Sequence, residues 1–329
     1  MPNNQESVQI SVVVAAPHAG PNLSHCLEAL KAQMISIGGE ILVVDGSRTG
    51  SAIQWSDDEK AAVRIIRLPA GTDVPVLWQA GIDASRGRII ALLVDSCVPG
   101  PDWASQILRA HRAEWVVVGG AIDLAPTLSL VDSAIYFCRY SRYMPPFAPH
   151  FLDDLPGNNC SYKKVALDGL QEEMVDGFWE TFVHRKIRSR GDRLLCDPAI
   201  QVYYIGPDSG TSFFLFRFVH GRQFAGRRAR GLSGGQRIVR ALISPVVPFL
   251  MLWRIAVGVW EKGRHRARFL ACVPLLTAFL AAWSAGEFLG YALGPAVRSF
   301  SKKKKTDSAK PSPASGGNPQ SSAVGSRGA

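Results

Sequence analysis

The sequence contains few cysteines and no closely spaced pair of them. Its six cysteines are scattered along 329 residues, without a Cys-x-x-Cys motif. This spacing argues against a zinc site or a disulfide framework, and it is typical of a protein in a reducing compartment.

The sequence also lacks an N-terminal secretory signal and the motifs of nucleic-acid-binding proteins. Residues 1–7 are polar and lead directly into a predicted strand, so we expect the main domain to stay in the cytoplasm. The net charge of +10 comes from 37 basic and 27 acidic residues, and the excess is clustered beside the two most apolar segments. No helix-turn-helix, zinc-finger or RNA-binding motif accompanies these clusters. They therefore indicate contact with anionic lipid headgroups, and no nucleic acid partner is expected.

Strand and helix patterns alternate through the first part of the chain. The strand patterns cover residues 8–15, 40–45, 63–68, 89–94 and 115–119, with helical patterns at 22–34, at 74–84 and from Pro101 onward. This alternation predicts an α/β fold with a doubly wound, mainly parallel sheet, whose ligands bind beyond the carboxyl ends of its strands. Further along, we predict helices at 128–143 and 178–191 and an extended segment at 194–204.

Two apolar segments near the C-terminus approach the length that is needed to cross a bilayer. They cover residues 241–260 and 269–297, and about 20 apolar residues suffice for a crossing. The flanking basic clusters and tryptophans favour a membrane, whereas the alternative is a buried helical pair. If the two segments formed a transmembrane hairpin, residues 261–268 would lie outside the cell. This loop is basic, and basic loops prefer the cytoplasmic side of a membrane. The first segment is therefore also considered as an interfacial or re-entrant helix.

Four short motifs carry candidate functional side chains. They are Asp45-Gly46-Ser47 and Asp95-Ser96-Cys97-Val98-Pro99 after two strands, Gly157-Asn158-Asn159 in a loop, and Trp179-Glu180 at a helix start. Each has an ordinary structural alternative, namely a turn, a helix cap or a surface charge. In their order and spacing they resemble the nucleotide-sugar glycosyltransferases of family 2, which have the GT-A fold.

The resemblance implies a nucleotide site and a metal site. Pro17, in the loop after the first strand, and Asp45 and Ser47 would hold the nucleotide. Asp95 would bind Mg²⁺ or Mn²⁺ against the diphosphate, because hard cations prefer oxygen ligands. The family often carries Asp-x-Asp at this place, and this sequence has one aspartate.

The resemblance also implies a catalytic carboxylate. Glu180 would be the general base, with Asn158, Asn159 and Trp179 contacting donor or acceptor. A helix start stabilises an ionised carboxylate, so we expect catalysis to depend on the proximity of Glu180 to the acceptor more than on a raised pKa. In the alternative, Glu180 is a surface charge whose partner is His184.

The implied protein is an inverting glycosyltransferase. It would move one sugar from a UDP- or GDP-sugar to a lipid-linked or cell-envelope polysaccharide acceptor, at the cytoplasmic face of the cell inner membrane. The predicted parts are a catalytic domain at 1–210, a basic interfacial segment at 211–240, membrane-associated helices at 241–297 and a disordered basic tail at 298–329. The alternatives are a non-catalytic membrane scaffold and a nucleotidyltransferase, although residues 15–21 lack the basic loop that the latter needs.

Overall fold

A computed structural model describes residues 8–48, 63–206 and 213–294 of the chain. These described residues lie within one compact unit. The predicted disordered tail at 298–329 lies outside the described residues. We call residues 8–206 the sheet domain.

A mixed sheet forms the centre of the sheet domain. Its strands are β1 (Ile10–Ala16), β2 (Glu40–Asp45), β3 (Val63–Arg67), β4 (Ile89–Val94), β5 (Cys97–Pro99), β6 (Val117–Leu124), β7 (His150–Leu152), β8 (Cys160–Lys163) and β9 (Leu194–Tyr204). They are ordered β3-β2-β1-β4-β8-β6-β9-β5, with β7 paired to β9. The first four neighbours are parallel, as are β6 and β9, whereas β8 runs antiparallel between β4 and β6. The predicted α/β fold with a mainly parallel central sheet is confirmed.

Helices cover the sheet and continue beyond it. They are α1 (Pro21–Ser36), α2 (Val74–Ala84), α3 (Trp103–His111), α4 (Leu130–Tyr140), α5 (Glu180–Ser189), α6 (Phe213–Ala229), α7 (Gly234–Ile243), α8 (Val247–Lys262) and α9 (Arg266–Leu293). All residues of β1 and β2 are buried, as expected for apolar, β-branched strands that are covered on both faces. α2 lies so close to β1 that a Cβ at Gly81 would be 2.2 Å from Val13 Cγ1.

The C-terminal helices pack onto the sheet domain and onto each other. Buried apolar residues of α9 as far as Leu280, which include Phe269 and Leu276, belong to the same apolar core as the sheet. α6 and α9 approach each other at glycines. A Cβ at Gly286 would lie 2.0 Å from the carbonyl oxygen of Phe218, and this small-residue packing is typical of membrane helices.

The basic loop between α8 and α9 contacts the sheet domain. Arg264 forms an ion pair with Asp123 at 2.9 Å, and Lys262 donates a hydrogen bond to the carbonyl oxygen of Arg142 at 2.9 Å. Arg268 donates to Ser133 Oγ at 2.7 Å. These contacts hold the loop and the sheet domain next to each other.

Candidate active site

Two aspartates lie at the carboxyl edge of the parallel strands. Ala16 of β1 is paired with Asp45, the last residue of β2. On the other side, Val94 of β4 is paired with Ala15, so Asp95 lies level with Ala16. Neighbouring strands are about 4.8 Å apart, which places the two Cα atoms roughly 10 Å from each other. Pro17 follows directly between them, so the fold brings Pro17, Asp45 and Asp95 together.

The backbone around both aspartates is fixed by hydrogen bonds. Asp45 Oδ1 accepts a hydrogen bond from Ser47 N at 2.8 Å, which turns the chain after β2. Asp95 N donates to Ala15 O at 3.0 Å, and Asp95 Oδ2 lies 3.5 Å from His18 N. Both aspartates are almost fully buried, with exposed fractions of 2% and 4%. Both aspartates are therefore held in place at this buried edge of the sheet.

Gly157 links this edge to Glu180. A Cβ at Gly157 would lie 2.5 Å from Trp78 Cη2 and 3.3 Å from the carboxyl carbon of Glu180. Trp78 is itself fixed, because its Nε1 donates to Leu93 O at the end of β4 at 2.8 Å. Only a residue without a side chain therefore fits between the Trp78 ring and the carboxylate.

Glu180 is the first residue of α5, and the chain is turned into this helix at Gly177. Gly177 has a φ of +103°, a left-handed conformation that favours glycine, and Phe178 N then donates to Pro75 O at 2.8 Å. The Glu180 side chain is partly buried.

Burial, followed by the charge of Asp154, raises the pKa of Glu180 from 4.5 to about 7, against the lowering effects of its backbone hydrogen bond and Arg139. The expectation that catalysis depends on proximity more than on a raised pKa did not anticipate this rise, because desolvation outweighs the helix start.

A buried network holds the start of α5 against the loop before Gly157. His184 Nδ1 and Asp154 Oδ1 are 2.5 Å apart, and His184 Nε2 and the Tyr162 hydroxyl are 2.7 Å apart. Thr181 Oγ1 donates to Asp154 Oδ2 at 2.8 Å. His184 is fully buried. The alternative in which His184 is a surface partner of Glu180 is therefore wrong.

The two asparagines of the loop have different surroundings. Asn158 is 3% exposed and donates from Nδ2 to Cys97 Sγ at 3.0 Å, two residues after Asp95. Asn159 is fully buried, its Oδ1 accepts from Trp103 Nε1 at 2.8 Å, and its Nδ2 donates to Ala121 O and Ile200 O. Asn159 therefore holds the loop onto the sheet, and its amide is not available to a sugar.

Trp179 lies between α5 and α6. The guanidinium carbon of Arg227 is 4.5 Å from the centre of the Trp179 ring, and the His220 ring contacts it edge-on at 5.4 Å. Its Nε1 donates to Asp176 O at 3.3 Å, and the residue is 9% exposed. These contacts connect the Glu180 region to α6.

Arg139 is a charged residue of this region to which no sequence motif points. The residue keeps contact with solvent, although many protein atoms surround its guanidinium. Burial among protein atoms acts to lower its pKa, but Tyr140, Tyr204, Cys97 and Glu180 raise the pKa on balance. The charge of Arg139 therefore acts both on Glu180 and on Cys97, which lies two residues after Asp95. A sequence signal for it is weak because arginine near a helix C-terminus is common.

The described residues do not form a metal centre that the protein could build alone. Within residues 8–48, 63–206 and 213–294, no group of three or more His, Cys, Asp or Glu side chains could hold a metal ion. Asp95 offers one carboxylate, so Mg²⁺ or Mn²⁺ at this place would take most of its ligands from donor phosphates and water.

Comparison with known proteins agrees with the fold and gives a family match over part of the chain. Residues 11–142 match the model of the family described as Glycosyl transferase family 2. This match confirms the resemblance over that part of the chain. The matched segment includes Asp45, Asp95 and Arg139 and ends before Gly157 and Glu180. No curated protein matches the chain.

Proposed function

We propose that the protein is an inverting glycosyltransferase that moves one sugar from a UDP- or GDP-sugar to an acceptor hydroxyl, with Glu180 as general base. The observation that carries the proposal is the Glu180 carboxylate beside Gly157, with a pKa of about 7. A general base is most effective when its pKa lies near the working pH. Because its pKa is raised, the Glu180 carboxylate is a stronger base than an ordinary glutamate when it takes the proton of the acceptor hydroxyl.

The reaction is a single displacement at the anomeric carbon. The acceptor oxygen attacks this carbon on the face opposite the leaving diphosphate, Glu180 takes the acceptor proton, and the bond between the sugar and the diphosphate oxygen breaks. One displacement inverts the configuration of the sugar. The proton transfer requires an acceptor oxygen within hydrogen-bond reach of the Glu180 carboxylate.

The parallel-strand edge supplies the nucleotide site in this proposal. Asp45 and Ser47 bind base or ribose, and Pro17 forms the wall between Asp45 and Asp95. Asn158 and Trp179 are the proposed donor or acceptor contacts, whereas Asn159 supports the loop from behind. A divalent cation bound near Asp95 would neutralise diphosphate charge.

The described helices favour a membrane partner. Two helical stretches, Gly234–Lys262 and Arg266–Leu293, are long and apolar enough to cross a bilayer, which by itself is weak support. A second observation is that apolar side chains of α7 and α8 are largely exposed. They are Ile238, Val239, Leu242, Ile243, Val246, Phe249, Leu250 and Trp253.

We propose that this exposed face lies in the plane of one leaflet of the cell inner membrane, with the sheet domain in the cytoplasm. The contacts of Lys262, Arg264 and Arg268 with the sheet domain favour this arrangement over two crossings. All six cysteines are free and buried, which suits a reducing compartment. The acceptor is then a lipid-linked or cell-envelope glycan that reaches the site from the membrane.

Enzyme assays with isolated donors test the proposal. The purified protein in detergent is incubated with UDP- and GDP-sugars, Mn²⁺ and a membrane lipid extract, and nucleotide release and the anomeric configuration of the product are measured. We expect transfer of one sugar with inversion. The absence of transfer from every donor, together with the absence of UDP or GDP binding in calorimetry, would instead indicate a non-catalytic scaffold.

A further inference from the structure

Side-chain contacts join the loop that leads to Gly157 with the first turn of α5. The joining residue is Asp154, three residues before Gly157. Its Oδ2 accepts a hydrogen bond from Thr181 Oγ1 at 2.8 Å, and its Oδ1 is 2.5 Å from His184 Nδ1. Thr181 directly follows Glu180, and His184 is one helical turn further on. Asp154 therefore lies against the turn of α5 that carries Glu180.

The same loop meets the Glu180 side chain at its other end. A Cβ at Gly157 would lie 3.3 Å from the carboxyl carbon of Glu180. Between these two contacts, Leu155 is buried, and its backbone N donates to Asp154 Oδ1 at 3.1 Å. The loop thus touches the helix at Asp154 and the carboxylate at Gly157, so a change at Asp154 is expected to move both.

His184 supports the Asp154 carboxylate from the buried side. Its Nε2 is 2.7 Å from the Tyr162 hydroxyl, and the two rings are stacked at 5.8 Å. A neutral imidazole satisfies these bonds when Nδ1 donates to Asp154 and the Tyr162 hydroxyl donates to Nε2. Cys160 Sγ also lies 3.8 Å from Nε2, but it is 1% exposed, and burial raises the pKa of its thiol. The cluster is therefore a support for Asp154 and not a nucleophilic site.

We propose that Asp154 and His184 are positioning residues of the sugar transfer, which hold the Glu180 carboxylate at Gly157 and set the pH at which it acts as a base. This inference rests on the proposed function, in which Glu180 is the general base. In it, His184 orients Asp154, and Asp154 holds the first turn of α5. The negative charge of Asp154 also disfavours the ionised form of Glu180.

Two charged groups act on Glu180 in addition to its burial, which is the largest cause of its raised pKa. Asp154, from the loop, raises the pKa of Glu180 further, and Arg139, from α4, lowers it. On α5 itself, the His184 imidazole is turned to Asp154. Removing the charge of Asp154 should therefore lower the pKa of Glu180.

The other titratable groups around Glu180 are neutral at the working pH. Those whose pKa values respond to the charge of Glu180 are Tyr140, Tyr143, Cys160 and Tyr162. Burial raises the pKa of each of these groups. On α6, His220 and Arg227 contact the ring of Trp179. The pH dependence of Glu180 should therefore respond to Asp154.

The pH dependence of sugar transfer by Asp154→Asn tests the proposal. Asparagine keeps the shape of the side chain and removes its charge. The rise of kcat/KM should move from about pH 7 in the wild type to about pH 6, because losing a neighbouring like charge lowers a carboxyl pKa by roughly 1. Asp153→Asn is the matched control, since Asp153 is exposed and pairs with Arg188 of the same helix at 2.6 Å. This control should keep the wild-type profile.

A double-mutant cycle measures the same coupling without sugar transfer. Glu180→Gln should stabilise the protein at pH 8. In the Asp154→Asn background this stabilisation should be about tenfold smaller in the unfolding equilibrium constant, which corresponds to a pKa difference of 1. In the Asp153→Asn background it should be complete.

Thr181→Val is the second variant, for the case that Asp154→Asn does not fold. Valine keeps the shape of the side chain and removes the hydroxyl that donates to Asp154. Because a displaced base slows the chemical step, we expect kcat to fall about tenfold while the KM for the donor is unchanged. A folded Thr181→Val variant with the wild-type kcat would overturn the positioning role.

A folded Asp154→Asn variant with the wild-type pH profile and with the full stabilisation by Glu180→Gln would also overturn the inference. If sugar transfer still depends on Glu180 in that case, the proposed function stands and the inference fails alone. Coupling between Asp154 and Glu180 in a protein that transfers no sugar would keep their electrostatic pairing and contradict the proposed function.

Discussion

Replacing Glu180 by glutamine should stabilise the protein at alkaline pH. The carboxyl has a pKa of about 7 in the folded chain against an ordinary value of 4.5. Between these values the folded state holds a proton that the unfolded state has lost, so the Glu180 contribution to stability falls as pH rises. Below about pH 4.5 Glu180 is protonated in both states and does not change the free energy of unfolding. Above about pH 7 it is ionised in both states, and the full cost of burying its charge lowers the free energy of unfolding.

The size of the penalty follows from the same two pKa values, 4.5 and about 7. At about 1.4 kcal/mol per pKa unit, ionised Glu180 costs about 3 kcal/mol of folding free energy at pH 8. Glutamine has the same shape and no charge. We therefore expect Glu180→Gln to raise the free energy of unfolding by up to about 3 kcal/mol at pH 8 and by little at pH 4.5.

Urea unfolding in detergent, followed by tryptophan fluorescence at a series of pH values, measures this difference. Glu172→Gln is the control, because Glu172 is an exposed glutamate in the loop before α5, and this variant should match the wild type throughout. The reasoning is refuted if Glu180→Gln is no more stable than the wild type at pH 8, or if its advantage is the same at pH 5.

Three further predictions concern the loop and the membrane helices. Gly157→Ala places a Cβ against the Trp78 ring and should displace the neighbouring Glu180 carboxylate. Because a shift of about 1 Å in the reacting groups costs roughly a hundredfold, we expect a fall of that size in kcat/KM. Unchanged steady-state kinetics would argue against the placement of Glu180. Asn159→Ala removes three buried hydrogen bonds, so the free energy of unfolding measured in urea should fall by about 3 kcal/mol while the KM for the donor stays the same. A variant that is as stable as the wild type but has a raised donor KM would show that Asn159 contacts the sugar directly. Glu261 is exposed in the last turn of α8. Glu261→Cys should react with an impermeant maleimide in inverted vesicles and not in intact spheroplasts, as Glu172→Cys should. Labelling of Glu261→Cys from outside would show a crossing.

Much of the sheet was predictable from the sequence because its parallel strands are continuous apolar runs. The bounds of β2, β4 and β9 agree with the patterns at 40–45, 89–94 and 194–204. β5, β7 and β8 were missed because they have three or four residues each, too few for a periodic signal. Their positions are set by tertiary pairing with β9, β4 and β6.

Site residues were predictable where they lie at the carboxyl ends of parallel strands. Asp45 and Asp95 meet at one edge because β2, β1 and β4 are parallel neighbours. The raised pKa of Glu180 was not predictable, since it depends on burial and on Asp154, which is distant in sequence. The effect of Arg139 on Glu180 was equally hidden, because the two residues are 41 positions apart in the sequence.

The pH dependence of sugar transfer by wild type and Glu180→Gln tests the central claim most directly. We predict that kcat/KM of the wild type rises with pH through about 7, as the carboxylate of Glu180 forms. Glu180→Gln should lose this dependence and be slower by a factor of about 10² to 10⁴, the contribution of a general base. A Glu180→Gln variant that transfers sugar at the wild-type rate, with the same rise through pH 7, would contradict the account.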